Sequence, residues 1–512
     1  MHVRSVSASV LTSPLGAPAA AAPSPPRLAP PAADRLVLDG SGLGSTGASA
    51  VSAVGSLASA TSTRFPGLDA CVADATAAAL AGGDGPPDPT VFASLRARLE
   101  AARDRLPSEY RKAVADPLLR ELDELGPRGF AKLLASDPRR AGDAGLLLDI
   151  AQSVLQPAEG YRPRQLGAFQ EVVGDLYEGF LSAEARRGVK PPDHGVVAPL
   201  VRWGSADSGP YTWPADATEE YGVQAAVVSL PDANAEGGIL AWPALAHETA
   251  GHDILSADDG LRVELSKAVR DSVRAAKLPD SVAAYWATRI DETASDVMGV
   301  LDMGPAAAVG LIGYFRGLNG AWGGKPVLRN AGPVDDPHPA DIVRAYLAAE
   351  TVRLLSFEGA AAWADRLVAE ADRDLGRIRL GGVSMSPEAA KASAAAVARA
   401  IVRTPLRALE GKALGDIQDW RDQDEAVVAA LRDRFHRGST SPGPYAAGAY
   451  AAHAVAAGVY EAVEGTSTPG EAMSDMVGAL AAMHRKNPDW PQPARAVAVA
   501  GDPGAAGRTA AA

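Results

Sequence analysis

The sequence predicts a mainly α-helical protein with a small β element set beside one chemically distinctive helix. Three observations carry this expectation. Across residues 63–190 and 356–490, apolar residues recur at three- and four-residue spacing, the period of one helix face. Hydrophobic residues make up 47% of the chain but aromatics only 5%, so the core must come from Ala-rich helices packed closely together. One β-branched run, 223–230, interrupts the helical pattern.

In chain order, five stretches are expected: 1–62, 63–190, 191–355, 356–490 and 491–512. The first is rich in Ala, Pro, Ser and Gly, including Pro23-Ser24-Pro25-Pro26, and should hold little fixed structure. Met1-His2-Val3-Arg4 is followed by no sustained apolar run, so it supports a secretory leader only weakly. Helices are expected at Phe92 to Leu106, Glu109 to Leu125 and Gln165 to Ala185. Ser108 is placed to cap the second of these, and Gly126-Pro127 to break the chain after it.

The run Val223 to Leu230, closed by Pro231-Asp232, reads as a strand and turn. An edge strand that could hold an extended peptide and an interior strand of a small sheet both fit it. Trp203, Tyr211, Trp213 and Tyr221 lie nearby, either walling a cleft or packing beneath a loop. The most apolar window, Val297 to Phe315, contains Asp302 and Pro305 and reads as buried helix rather than membrane span. Further helices are expected at Pro387 to Val402, Gly415 to Phe435, Tyr445 to Val463 and Gly470 to His484, before an Ala/Gly-rich tail from 491.

The net charge of −13, without a basic patch, argues against a nucleic-acid partner. Cys71 is the single cysteine, which excludes an intrachain disulfide and a cysteine-based zinc site. With no membrane segment expected, a cytoplasmic protein is the default, secretion remaining open.

The chemistry concentrates in His247-Glu248-Thr249-Ala250-Gly251-His252 and, forty positions later, in Asp291-Glu292-Thr293-Ala294-Ser295-Asp296. Two histidines and a distant glutamate make a catalytic zinc set with the fourth position open. His247, His252 and Glu292 are therefore candidate ligands of one Zn2+, with Glu248 as general base toward the activated water. The histidines are five residues apart, and in a regular helix such side chains point about 140° away from each other. A π-turn at this point would realign them, and Gly251 would ease an irregular backbone. Glu292 and Asp296 are i and i+4, so Asp296 can accept the free ring N–H of a ligating histidine.

These segments resemble the gluzincin metallopeptidases, whose metal is held by a His-Glu helix and a glutamate on a following helix. The six-residue HExxGH form is similar to dipeptidyl-peptidase III-like enzymes, and the Asp291 to Asp296 segment looks like the thermolysin-type pattern. The resemblance implies a zincin-like metallohydrolase acting on a peptide. It carries His247, His252 and Glu292 over as ligands and Glu248 as catalytic base. It covers roughly residues 225–300, and Asp291 and Asp296 stand where the dipeptidyl-peptidase III-like segment has glutamates.

Each piece also has an ordinary reading. Histidines next to glutamate arise by chance on Ala-rich helices, and Glu292 with Asp296 could be a solvated face. Two other functions therefore stay open: hydrolysis of a non-peptide amide or ester, and a catalytically inactive helical interaction protein. His338, in Asp336-Pro337-His338-Pro339, is the candidate donor to a developing oxyanion. Tyr314 and Tyr346 are weaker alternatives, Asp253 reads as an ordinary helix residue, and His194, His436, His453 and His484 read as structural or surface residues.

Overall fold

The computed structural model describes residues 64–438 and 450–490, apart from 84, 184, 185, 187, 207, 208, 488 and 489. The stretches 1–62 and 491–512 lie outside the described residues. The architecture is mainly helical, with a three-stranded sheet and a small hairpin, Ile378–Leu380 with Val383–Met385.

The three-stranded sheet is built from β1 (Leu200–Gly204), β2 (Tyr211–Trp213) and β3 (Val227–Pro231), in the order β1-β3-β2. β3 is therefore interior, parallel to β1 and antiparallel to β2. This removes the edge-strand reading of 223–230; the strand itself begins four residues later than the run. The outer side of β1 is closed by Gln156, whose side-chain amide donates to the Trp203 carbonyl at 2.9 Å and accepts from the Trp203 N–H at 2.8 Å. A glutamine here does what a fourth strand would do for an exposed edge.

Side-chain alternation along the strands divides the protein into two cores. Leu200, Tyr211, Trp213 and Val227 face a smaller core made with the helices Phe92–Arg103, Asp116–Ser136 and Asp143–Glu159. Val201, Trp203, Val228 and Leu230 face a larger core that holds the helices of both histidine and glutamate motifs. The first helix, Leu68–Ala81, belongs to the larger core despite its place in the chain. The close packing expected from the Ala-rich composition is visible where that helix meets Pro305–Gly323. A Cβ on Gly313 would lie 2.3 Å from a Leu240 methyl and 2.9 Å from a Leu68 methyl, so only glycine allows this approach. Cys71 is buried in the same core, and burial pushes its thiol up to about 12.

Several sequence expectations shift at their ends. Ser108 is the first helical residue rather than a side-chain cap, and the helix continues through a π-turn, Arg111–Ala115. Gly126, at φ +59° and ψ 177°, breaks the next helix where Gly126-Pro127 is expected to, and Pro127 opens a new one immediately. The expected helix Gly415 to Phe435 is instead two, Leu414–Ile417 and Asp422–His436, separated by an extended Gln418. Pro387–Arg403 starts with the Ser386 hydroxyl accepting from the Ala389 N–H, and Thr468 with Glu471 forms a capping box before Pro469–His484. The helix expected from Tyr445 begins at Ala451, after an extended Tyr450, and residues 445–449 lie outside the described residues. The apolar window 297–315 is divided by Gly304 between Ile290–Met303 and Pro305–Gly323, and no helix among the described residues is long and apolar enough to cross a membrane.

The four aromatics near β2 pack rather than wall a cleft. Trp203 is fully buried, Tyr221 bonds the Asp143 carbonyl, and Tyr211 and Trp213 both donate to the buried Asp149 carboxylate at 2.6 and 2.8 Å. Arg202 from β1 donates to Asp149 as well. This carboxylate thus ties both outer strands to the helix Asp143–Glu159. Replacing Asp149 by Ala removes the carboxylate that pairs with the buried Arg202 charge, a loss of about 3–5 kcal/mol. Urea unfolding of Asp149→Ala should show that drop, with Asp149→Asn less affected.

Candidate metal centre

The histidine motif lies on a helix over 244–256 whose middle turn, His247–Asp253, is π-helical. The Ile254 N–H reaches the Thr249 carbonyl five residues back. Widening the turn in this way aligns side chains five apart. The His247 and His252 rings accordingly sit 4.8 Å apart, centroid to centroid.

Gly251 serves a different purpose from the one its backbone freedom suggests. Its Cα faces Ser295 on the helix Ile290–Met303, and a Cβ there would come within 2.3 Å of the Ser295 Cβ and 2.6 Å of its Cα. The glycine sets how closely the two helices approach. That approach brings Glu292 between the histidines: its Oε2 lies 3.4 Å from His247 Nε2 and its Oε1 3.5 Å from His252 Nε2. Ligand atoms around a tetrahedral zinc are separated by about 3.3 Å, given bond lengths near 2.0–2.1 Å. Among the described residues, this trio alone brings three such ligand atoms within 4.8 Å of one another.

The other nitrogen of each ring is held by a carboxylate. Asp296 Oδ1 lies 3.0 Å from His247 Nδ1, as expected from its spacing to Glu292. Asp291 Oδ2 lies 3.1 Å from His252 Nδ1. With Nδ1–H donated to an aspartate, each Nε2 faces Glu292 and would present its lone pair to a metal once its proton is displaced. Asp253 is not part of this arrangement; it is buried and accepts the Ala215 N–H at 3.2 Å.

Charge in the cluster reinforces the geometry. Burial opposes charge on His247, but hydrogen bonds to Asp296 and Glu292 overcome it and lift the ring to about 10. His252 is likewise opposed by burial and raised by Asp291. Glu292 is disfavoured as an anion by burial, yet the charge of His338 and the two other imidazoles holds it well below the usual carboxylate range. Asp296 is anchored by Arg344, which donates through Nε at 2.7 Å and Nη2 at 2.8 Å. Buried carboxylates converging on imidazoles form a pocket of negative charge that suits a divalent cation.

His338 also reaches this cluster. Its Nε2 lies 3.3 Å from Glu292 Oε1, while Nδ1 and the backbone N–H are both held at 2.9 Å by Asp336 Oδ1. Glu248 is 5% exposed, and its Oε2 accepts from the Thr212 hydroxyl at 2.8 Å. Alternation along β2 explains that contact: Tyr211 and Trp213 face the smaller core, so Thr212 faces the histidine helix. Tyr314 is near enough for the Glu248 charge to add to burial in pushing its phenol up. Tyr346 instead bonds Asp372. His194, His436, His453 and His484 each have a carboxylate within 3.3 Å, but among the described residues none belongs to a three-ligand group.

Thr212, Asp291 and Arg344 are the site residues that motif reading did not assign. Asp291 was legible as a neighbour of Glu292, whereas Thr212 and Arg344 come from distant segments without a local signal.

No known family model matches the chain, nor does any curated protein or solved structure. A group that could hold a metal ion is present in His247, His252 and Glu292.

Gly251→Ala would force the two helices apart. A stability loss of about 1–3 kcal/mol is expected from the overpacking, together with less divalent metal retained after dialysis. Unchanged melting and metal content would show that the contact does not set the site.

Proposed function

We propose that the protein is a zinc-dependent metallopeptidase. The observation that carries this reading is the pair of imidazoles with both Nδ1 atoms held by aspartates and both Nε2 atoms turned toward Glu292. That arrangement fits a bound metal better than a pair of isolated His–Glu contacts, because the rings are oriented from behind as well as in front. His247, His252 and Glu292 would hold Zn2+, which supplies Lewis acidity and lowers the pKa of water.

The remaining roles fall to side chains already positioned. Glu248 takes a proton from the attacking water and delivers it to the leaving amine. Thr212 fixes the Glu248 carboxylate from β2. His338, steadied by Asp336, is placed beside Glu292 to donate to the developing oxyanion when Nε2 carries a proton. An extended peptide would find its main-chain partner on β2, the sheet edge next to Glu248, since β3 is interior and the β1 edge is closed.

Elemental mass spectrometry of the purified protein is expected to find about one zinc per chain, absent from His247→Ala, His252→Ala and Glu292→Ala. Glu248→Gln should keep the zinc and lose about 10²–10⁴ in rate. A chain that takes up no metal after zinc is added back, or a fully active Glu248→Gln, overturns the proposal. Screening peptide libraries beside small amides and esters separates a peptidase from a hydrolase of other acyl compounds.

A further inference from the structure

A cavity of about 410 Å³ lies where the glutamate helix ends. Asp302, on that helix, is ten residues beyond Glu292, or about 15 Å along the axis. The cavity is completed by Asp175 on the helix Pro163–Ser182, by the segment joining Leu414–Ile417 to Asp422–His436, and by the start of Ala451–Val463.

Its lining is acidic and aromatic. Among the described residues of the lining, Asp175, Asp302, Asp419 and Asp424 stand with one arginine, Arg421, and no lysine. Three of the four carboxylates have defined partners. Asp175 accepts the Ala451 N–H at 2.7 Å, which also occupies the positive end of that helix. Asp419 accepts the Ser356 N–H at 3.2 Å. Asp424 accepts from the Arg421 N–H at 2.7 Å and lies 2.9 Å from His453 Nε2. The Tyr450 N–H donates to His453 Nδ1, so the ring proton is on Nε2 and points at Asp424.

Asp302 differs from the other three. It is 4% exposed, and its Oδ2 has no hydrogen-bond partner among the described residues. A buried carboxylate without a partner is strongly disfavoured, and native proteins rarely leave one unexplained. Beside it Trp420 is held rigidly, its Nε1 donating to Glu425 at 2.7 Å and its ring packed against Gly304 and 5.2 Å from the His453 ring.

We propose that this cavity binds a small organic cation, an alkylammonium or guanidinium group whose charge is met by Asp302 at the cavity wall. A hydrogen bond between such a cation and a carboxylate is stronger than one between neutral groups. A metal ion fits less well, because these carboxylates do not form a three-ligand group and the volume is that of a small-molecule pocket. Burial pushes the Asp302 carboxyl well above its ordinary range, so a cation bound there would take the place of its proton.

The test is calorimetric titration of the full chain with 1,4-diaminobutane and with 1,4-butanediol, its uncharged counterpart. The diamine should bind one site per chain, at least tenfold more tightly than the diol. Asp302→Asn, which removes the ionisable carboxyl at constant shape, should weaken diamine binding at least tenfold. Equal binding of diol and diamine, no diamine binding, or an unaffected Asp302→Asn overturns the proposal. Calcium binding that excludes the diamine overturns it as well. The comparison of diamine with diol on the unsubstituted chain decides the matter even if the variant fails to fold.

Discussion

The distance between two helices governs the site. The histidine helix lies against the glutamate helix at Gly251 and Ser295, and no side chain larger than hydrogen fits at Gly251. Everything chemical depends on this contact. Glu292 reaches both imidazoles only because the backbones are this close, and Asp291 and Asp296 reach the opposite ring nitrogens from the same helix. One helix thus provides three carboxylates at positions one and four residues apart, all directed at two rings on its neighbour.

A contact this close would be unstable if the charges it buries were not held from outside. Arg344 meets Asp296 through two nitrogens and lies 3.4 Å from Glu292 Oε2, while Arg262 meets Asp291 at 3.2 Å. Both arginines come from other helices, Asp341–Arg353 and Leu261–Ala275. The sheet closes the third side through Thr212, and its own position depends on Asp149 and Gln156 in the smaller core. The two cores therefore meet functionally at one hydroxyl.

Much of this was legible in the residues. The five-residue histidine spacing implied a π-turn, and the structure has one at that place. The spacing of Glu292 and Asp296 implied a shared helix face, and Asp296 indeed meets His247. Helices with strong periodicity, such as Pro387–Arg403, were readable to within a residue. What escaped was set by tertiary contact. β2 is three residues long, too short for an alternation to be seen, so neither the sheet order nor Thr212 could be anticipated. Gly251 was noticed, but for its backbone freedom rather than for the neighbour its missing side chain admits. The interruption at Gln418, which lines the same cavity as Trp420, has no counterpart in the periodicity.

A π-turn is a helical turn that has absorbed one additional residue. Both flanking segments, Ala244–Ala246 and Ile254–Ser256, remain ordinary helix, so the irregularity begins and ends within the motif. This makes the motif tolerant of length change in a way its surroundings are not. Removal of one residue between Glu248 and His252 would leave a regular helix whose histidines are four apart and still share a face. The five-residue and four-residue forms are thus neighbours in sequence space, separated by a single codon rather than by a rebuilt fold.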